Sequence, residues 1–305
     1  MTTDPIRPDP TQSDPTQSDA TETFEQHRST LVGAAYRILG SRVEAEDVVQ
    51  EAWIRWSGVD HDTIDQPRAY LLTITTRLAL NRLRTLATRR ESYVGPWLPE
   101  PVASDPDPSA DGEAAAQLAD EVSMAMLIVL ESLSPLERAA FVLTEVFGMA
   151  APEVAEALDR SPAAVRQLVH RARSHVEARR PRQVVDQQRH REITERFMAA
   201  ARGGDIAALM DVLSPDVVLV TDGGGIRQAA LRPIHGAENV LRWLAGTLGK
   251  PESAVLGFEL RQVNGEVAIV ATNPGGIDGV IFVTVEDDRI TALHGIRNPE
   301  KLGAV

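Results

Sequence analysis

The strongest constraint on the fold is a pair of helix starts between residues 133 and 182. Ser134-Pro135-Leu136-Glu137 has the form of a capping box with proline at the first helical position. Ser161-Pro162 repeats the cap-plus-proline signal, and Asp159-Arg160 supplies a short polar turn before it. The pattern predicts a short helix, a tight turn and a longer helix, as in a helix-turn-helix. Apolar residues at helical spacing mark the buried face of the longer helix: Val165, Leu168, Val169, Ala172 and Val176.

The opposite face of that second helix is rich in arginine. Residues 162–182 contain six arginines and one acid, in a chain whose net charge is −13. Arginine binds guanine edges and phosphates in a bidentate manner, so the pattern favours DNA binding. The alternative is an ordinary helical hairpin with a basic surface. The predicted DNA-contacting residues are Ser161, Arg166, Gln167, His170, Arg171, Arg173, Ser174, Arg179 and Arg180.

Composition excludes several classes of protein. The chain has no cysteine, so it can form no disulfide, thiolate metal site or cysteine nucleophile, and no cofactor is expected. It has no apolar run of about 18 residues and no signal sequence, which predicts a soluble, cytoplasmic protein without a membrane partner. The acidic total does not exclude nucleic acid, because charge is distributed unevenly along the chain.

The amino-terminal part divides into a tail and a helical unit. Residues 1–20 repeat the pentad Asp-Pro-Thr-Gln-Ser and are predicted to be disordered. Residues 21–90 predict three helices: 24–39, a second helix from the capping box at Ser41 to about Trp56, and a third from Pro67 to about Arg90.

The charge changes sign inside this helical unit. Residues 43–65 carry seven acids and one arginine, whereas residues 66–90 carry six arginines and no acid. The two helices could neutralise each other. Alternatively, they bind partners of opposite charge, a basic protein surface and the DNA backbone.

Several motifs resemble a known family. Ile38-Leu39-Gly40, the run from Ala45 to Ala52, and Ala79-Leu80-Asn81-Arg82-Leu83-Arg84 look like region 2 of bacterial sigma factors of the extracytoplasmic-function (ECF) type. The helix-turn-helix resembles region 4 of the same factors, through Glu137-Arg138, Glu153-Val154-Ala155 and His170-Arg171-Ala172-Arg173. The sequence departs from the family at Thr75-Thr76, at Asn81 and at Asp159, where alanine-arginine, aspartate and glycine are usual.

The resemblance implies partners and site residues. Region 2 would bind the clamp helices of core RNA polymerase and open the minus-10 promoter element, and region 4 would bind the flap and the minus-35 element. The implied polymerase-binding residues are Glu46, Asp47, Gln50 and Glu51. The implied minus-10 contacts are Arg77, Asn81, Arg84, Arg89 and Arg90.

Residues 91–121 contain eight acids and no base, which predicts a flexible linker between the two helical units. Within it, Trp97-Leu98-Pro99-Glu100-Pro101 places a tryptophan beside prolines. That tryptophan is a candidate docking anchor, since it brings a large contact area at low entropy cost. The alternative is that it covers its own domain.

The last third, residues 187–302, changes character. Three helices are followed by strands joined at Asn264-Gly265 and Asp287-Asp288, which predicts an α+β cone. It resembles the SnoaL-like branch of the NTF2-like fold, found as an extension in one subgroup of these sigma factors. That subgroup has three hallmark segments, and all are present, at residues 97–101, 222–225 and 298–302. They imply the regulatory interdomain residues Trp97, Leu98, Pro99, Glu100, Pro101, Asp222, Gly223, Gly224, Gly225, Asn298, Pro299, Glu300, Lys301 and Leu302.

The overall expectation is a multidomain chain: tail 1–20, region 2 at 21–90, linker 91–121, region 4 at 122–182 and the extension at 187–302. We expect Trp97 to lie on a seat formed by Gly223–Gly225, near Leu302, so that the extension replaces a separate anti-sigma factor.

Catalysis is not expected, although Asp222, His235 and His294 are candidate acid–base residues. Binding of a small molecule in the cone cavity stays open. The alternative function is a helix-turn-helix regulator fused to a small-molecule-binding or cyclase-like domain.

Overall fold

The computed structural model describes residues 15–104, 122–179, 186–250, 253 and 255–305, and only the backbone of residues 15–18 and 88–90. Region 2 is a bundle of α1 (Pro15–Leu39), α2 (Arg42–Trp56) and α3 (Pro67–Glu91). Gly40 ends α1 with a φ of 69°, and Ser41 caps α2 by accepting from the Glu44 N–H. A 3-10 turn, His61–Thr63, lies between α2 and α3.

The prediction of a disordered tail is wrong for residues 15–20, which form the first turns of α1. The reason is a tertiary contact. The indole Nε1 of Trp56 donates to the carbonyl oxygen of Ala20 at 2.9 Å, and Ala20 is buried. The rest of the tail lies outside the described residues.

Region 4 contains the predicted helix-turn-helix. Its helices are α4 (Met124–Glu131), α5 (Pro135–Phe141), α6 (Ala151–Leu158) and α7 (Pro162–Arg179), with a π-helical turn at Val142–Val146. Ser134 and Glu137 form the predicted reciprocal capping box. Asp159 ends α6 with a φ of 53°, which confirms that aspartate supports this turn in place of glycine.

The extension is an α+β cone, as predicted. The helices α8 (Gln187–Gly203), α9 (Ile206–Val212) and α10 (Ala237–Leu248) cover one face of a six-stranded sheet of order β2-β1-β6-β5-β4-β3. The strands are β1 (Leu213–Asp222), β2 (Ile234–His235), β3 (Gly257–Val263), β4 (Glu266–Asn273), β5 (Gly276–Glu286) and β6 (Arg289–Ile296). β1 and β6 are parallel, and the other pairs are antiparallel.

The opposite face of the sheet packs against the sigma lobes. Val270, Val280, Phe282 and Ile296 belong to one continuous hydrophobic cluster with the cores of regions 2 and 4. The helix-covered face has a separate cluster, which includes Ile193, Leu219 and Leu293. The extension is therefore not an independent domain on a tether in this structure, because both faces of its sheet are buried.

The two sigma lobes also pack directly on each other. Six consecutive residues of α3, Leu71 to Thr76, are at most 9% exposed. A helix is buried on all sides over such a run only when it is covered by neighbours all around. Arg138 of α5 is itself buried and donates to the Ile38 carbonyl oxygen at 2.8 Å, which ties region 4 to the end of α1.

Candidate functional site

Asp222, at the end of β1, is the centre of a polar cluster that joins the linker to the extension. It is fully buried. Its Oδ1 accepts a hydrogen bond from the Tyr93 hydroxyl at 2.5 Å, and its Oδ2 accepts from the Leu98 N–H at 2.9 Å. Lys301 Nζ completes the cluster, 2.7 Å from Asp222 Oδ2 and 2.5 Å from the Leu98 carbonyl oxygen. A buried carboxylate is thus balanced by a buried ammonium group.

The linker aromatics pack around the same ammonium group. Lys301 Nζ lies 3.8 Å from the centroid of the Trp97 ring and 5.1 Å from that of Tyr93, which is cation–π geometry. Asn298 donates from Nδ2 to the Tyr93 hydroxyl at 2.9 Å and from its backbone N–H to the Asp222 carbonyl oxygen at 3.1 Å. The structure therefore brings all three hallmark segments together. We call the contacts among Tyr93, residues 97–101, Asp222, Asn298 and Lys301 the interlock. Burial, with the bond to Asp222, raises the pKa of Tyr93.

The Trp97 ring does not lie against residues 223–225, so that part of the expectation is wrong. A Cβ added at Gly225 would lie 3.1 Å from the Val94 side chain, and one at Gly224 would lie 2.5 Å from that of Asn298. The Trp97 ring instead approaches Gly40, where an added Cβ would come within 2.8 Å of it. Because Gly40 has no side chain, the indole fits against the end of α1 in region 2.

Glu100 connects the linker to the start of α2. Its Oε2 accepts from the Ser41 hydroxyl and from the Arg42 N–H, both at 2.9 Å, while its own N–H donates to the Gly40 carbonyl oxygen at 2.8 Å. A carboxylate at a helix amino terminus satisfies free N–H groups and interacts favourably with the helix dipole. Burial raises the pKa of Glu100. The motif therefore binds region 2 on one side and the extension on the other.

The turn between β3 and β4 forms a second junction, which the sequence did not reveal as a site. Asn264 is fully buried and exchanges two hydrogen bonds with the backbone of Val102, at 2.8 and 3.0 Å. Its Nδ2 donates to the Tyr36 hydroxyl at 2.9 Å and to the Val122 carbonyl oxygen at 3.2 Å. One turn of the extension thus contacts region 2, the linker and the start of region 4.

Glu266, two residues further on, caps the first helix of region 4. Its Oε1 accepts from the N–H groups of Met124 at 2.7 Å and Ala125 at 3.4 Å. Burial raises the pKa of Glu266 to about 7.

This pKa predicts a pH effect on stability. A folded-state pKa above the unfolded value means that the folded protein binds the proton more tightly. Wild type therefore loses stability as pH rises from about 4.5 through about 7, whereas Glu266→Gln cannot titrate there. We expect Glu266→Gln to gain stability relative to wild type over this range, measured by urea denaturation at each pH. A constant difference between the two proteins would contradict the expectation.

The residues of region 4 that were predicted to contact DNA separate into two groups. Arg166, Gln167, His170 and Arg171 lie side by side on one exposed face of α7, and their contact with bases stays a prediction. Arg171 also binds Glu137 at 2.7 Å. Arg173 points back to Glu145 at 2.7 Å, Ser174 bonds the His170 carbonyl oxygen, and Ser161 caps α7. Arg179 is exposed, and Arg180 lies outside the described residues.

The predicted minus-10 residues with described side chains are exposed, but Arg77 is engaged within the chain. Arg77 donates to the carbonyl oxygens of Ala157 at 3.1 Å and Glu156 at 2.6 Å, so it caps the carboxyl end of α6 in region 4. Asn81 and Arg84 are exposed and bond each other at 2.8 Å. The side chains of Arg89 and Arg90 lie outside the described atoms. Region 4 therefore packs on the part of α3 that carries one of the predicted minus-10 residues.

The predicted polymerase-binding residues lie on the outer face of α2. Asp47, Gln50 and Glu51 are exposed, and Ile54 beside them is 68% exposed. Glu46 pairs with Arg42 and Glu51 with Arg55 within α2, both at 2.8 Å. Arg82 of α3 bonds Glu44 and also Asp47, so among the described side chains the acidic α2 and the basic α3 neutralise each other at this point.

The candidate acid–base residues do not converge. The helix-covered face encloses a cavity of about 90 Å³, lined mainly by apolar residues such as Phe197, Trp243 and Leu293. Asp222 and His294 lie on the opposite face of the sheet, and His235 is exposed on β2. Burial lowers the pKa of His294 to about 4, which keeps it neutral. Ligand binding in the cavity stays a prediction.

No described helix has the length and apolar character that a membrane span requires. Within the described ranges, no group of three or more histidine, aspartate or glutamate side chains is arranged to hold a metal ion.

Comparison with known proteins defines the class. Residues 23–89 match the model of sigma-70 region 2, and residues 123–176 match that of sigma-70 region 4. A chain with these two regions and a fused α+β domain is a sigma-70-type factor with an extension.

The relatives narrow the class to one family. The chain is 40% identical to the ECF RNA polymerase sigma factor SigJ of Mycobacterium tuberculosis, over 91% of each chain. It is 32% identical to the probable ECF RNA polymerase sigma factor SigI of the same species, over 90% of this chain and 92% of that one. The crystal structure of SigJ superposes with a TM-score of 0.74 and 36% identity, covering 92% of this chain and 97% of SigJ. The protein belongs to the ECF family of RNA polymerase sigma factors.

Proposed function

We propose that this protein directs core RNA polymerase to specific promoters and that its extension controls that activity within the same chain. Region 2 would bind the polymerase clamp through α2 and the minus-10 element through α3. Region 4 would bind the flap and read the minus-35 element through α7. The observation that carries the proposal is that two sigma regions pack against one extension, which the interlock joins to region 2 and Glu266 joins to region 4.

The closed arrangement supplies the reason for control. Region 4 packs on α3, and the exposed guanidinium of Arg77 is bonded to the carboxyl end of α6, where it would have to be released to contact DNA. The side-chain hydroxyls of Thr75 and Thr76 are buried without a hydrogen-bond partner among the described residues, which is a cost of burying this part of α3. If a protein binds its target only from an open state, its apparent affinity equals the affinity of the open state multiplied by the fraction of molecules that are open. The interlock would thus set how readily the factor engages polymerase.

The extension would take the place of a separate anti-sigma protein. It shares one continuous hydrophobic cluster with both sigma lobes and caps the first helix of region 4 through Glu266, while Glu100 of the linker caps α2 of region 2. Run-off transcription with purified core polymerase, this protein and the promoter upstream of its own gene tests the proposal. A transcript that depends on this protein supports it, and duplex DNA binding without any transcript would favour a simple helix-turn-helix regulator.

Base reading by α7 predicts a selective loss. We expect Arg166→Ala to cost about 1–3 kcal/mol at a cognate minus-35 sequence and much less at unrelated sequences, because a base contact discriminates between them. Arg179→Ala is the matched control. It should weaken binding uniformly and reduce the salt dependence by about one phosphate contact. Gel-shift titrations of open complexes on mutated promoters measure both effects, and equal losses on every sequence for Arg166→Ala would refute base reading.

A further inference from the structure

The Asn264–Gly265–Glu266 turn occupies an unusual place for the end of a hairpin. Such turns normally lie in solvent, yet Asn264 is fully buried. The backbone has φ values of 51° at Asn264 and 66° at Gly265, which suit asparagine and glycine. The turn is therefore shaped to insert between the two sigma lobes.

Both ends of the acidic linker segment are held at this turn. On one side, Ser104 donates from its N–H to the Gln262 carbonyl oxygen at 3.0 Å and accepts from the Gly265 N–H at 2.8 Å. On the other side, the Val122 carbonyl oxygen accepts from Asn264. The intervening residues 105–121 lie outside the described part of the chain. The chain is thus held at the same turn on both sides of these residues, immediately before region 4 begins.

Glu266 supplies the contact specific to region 4. Met124 and Ala125 open α4, and free N–H groups in the first turn of a helix need an external acceptor. Ser123 serves Met126, whereas Glu266 serves Met124 and Ala125. No described lysine, arginine or histidine pairs with Glu266, so the helix amino terminus is the group that balances its charge. The interlock contacts region 2 through Trp97 and Glu100 and lies at the other end of α4, where Glu131 Oε1 approaches Gly40 beside the Trp97 ring.

We propose that Glu266 is a positioning residue that holds the first helix of region 4 against the extension, and that its contact can open while the interlock keeps region 2 docked. The inference rests on the proposed control of the factor by its own extension. It divides that control into two steps, release of region 4 at Glu266 and release of region 2 at the interlock.

Hydrogen exchange on the full-length chain tests the proposal. In Glu266→Ala, the amides of Met124 and Ala125 lose their acceptor, and we expect their exchange to rise about tenfold or more. Glu266→Gln keeps an acceptor oxygen and should stay within about twofold of wild type. Asp287→Asn, at the exposed turn between β5 and β6, is the control for a change in a comparable turn. Peptides covering α2 and residues 97–101 should be unaffected in all three variants.

Unchanged exchange at Met124 and Ala125 in Glu266→Ala would overturn the proposal. An equal rise in α2 and residues 97–101 would also overturn it, because the lobes would then open as one unit. Run-off transcription by Glu266→Ala separates this inference from the proposed function. The expected exchange together with unchanged transcription would support the positioning role and count against control by the extension.

Discussion

Replacing Asp222 with alanine should cost the full-length protein about 3–5 kcal/mol of stability, because it removes the carboxylate that balances the buried ammonium group of Lys301. The side chain of Lys301 is only 10% exposed, and its Nζ is 2.7 Å from Asp222 Oδ2. The Tyr93 hydroxyl and the Leu98 N–H lose an acceptor in the same step. Urea denaturation measures the loss. The linker should separate from the extension, and the apparent affinity for core polymerase should rise because more of the protein is open.

Two further variants make this result interpretable. Asp216→Ala removes an exposed carboxylate from the same strand and should change stability by less than about 0.5 kcal/mol. The double variant Asp222→Ala with Lys301→Met removes both buried charges, so it should lose less than the sum of the single losses. Additive losses in the double variant would show that the two side chains do not interact.

Reversing Asp47 and Glu51 to lysine should abolish binding to core polymerase, and transcription with it. Both side chains are exposed on α2, and a rim or surface charge reversal against a basic partner replaces attraction by repulsion. The intramolecular pairs that are lost, with Arg82 and Arg55, are exposed and contribute little to stability. The fold should therefore survive, as judged by circular dichroism and thermal unfolding.

The matched control reverses Glu22 and Glu25, two exposed acids on α1 that produce the same change in net charge. This variant should bind core polymerase like wild type in a pull-down experiment at physiological salt. If the Asp47/Glu51 variant also binds normally, the polymerase-binding surface lies elsewhere on region 2.

Local signals accounted for much of the fold. The cap-plus-proline pairs at Ser134 and Ser161 start helices where expected, and Asp159 forms the left-handed turn between α6 and α7. The hairpin turns at Asn264-Gly265 and Asp287-Asp288 were equally readable, because few residues other than glycine, asparagine and aspartate adopt positive φ at low cost. These features depend on residues close together in sequence.

Contacts between distant segments were not predictable in the same way. The carboxylate of Glu100 accepts hydrogen bonds from Ser41 and Arg42 at the start of α2, although Glu100 lies far from both residues in the sequence. The sequence predicted Arg77 as a basic residue on a helix face. Its hydrogen bonds to the end of α6 could not be predicted, because they depend on how the two lobes pack. Asn264 and Glu266 gave only a turn signal, since nothing local marks a turn that inserts between domains. Hallmark motifs indicated that the interlock segments meet, although the seat for Trp97 is Gly40 rather than the glycine run.

The most direct test of the account is the distance between regions 2 and 4 in the free protein. The chain contains no cysteine, so Ser29→Cys on α1 and Ala178→Cys on α7, both exposed, would provide the two thiols for spin labels. We expect pulsed electron paramagnetic resonance to give one narrow distance distribution in otherwise wild-type protein. In Asp222→Ala the distribution should become broad and extend to longer distances. A broad distribution in the wild-type background, or a narrow one that Asp222→Ala leaves unchanged, would contradict a closed state held by the interlock.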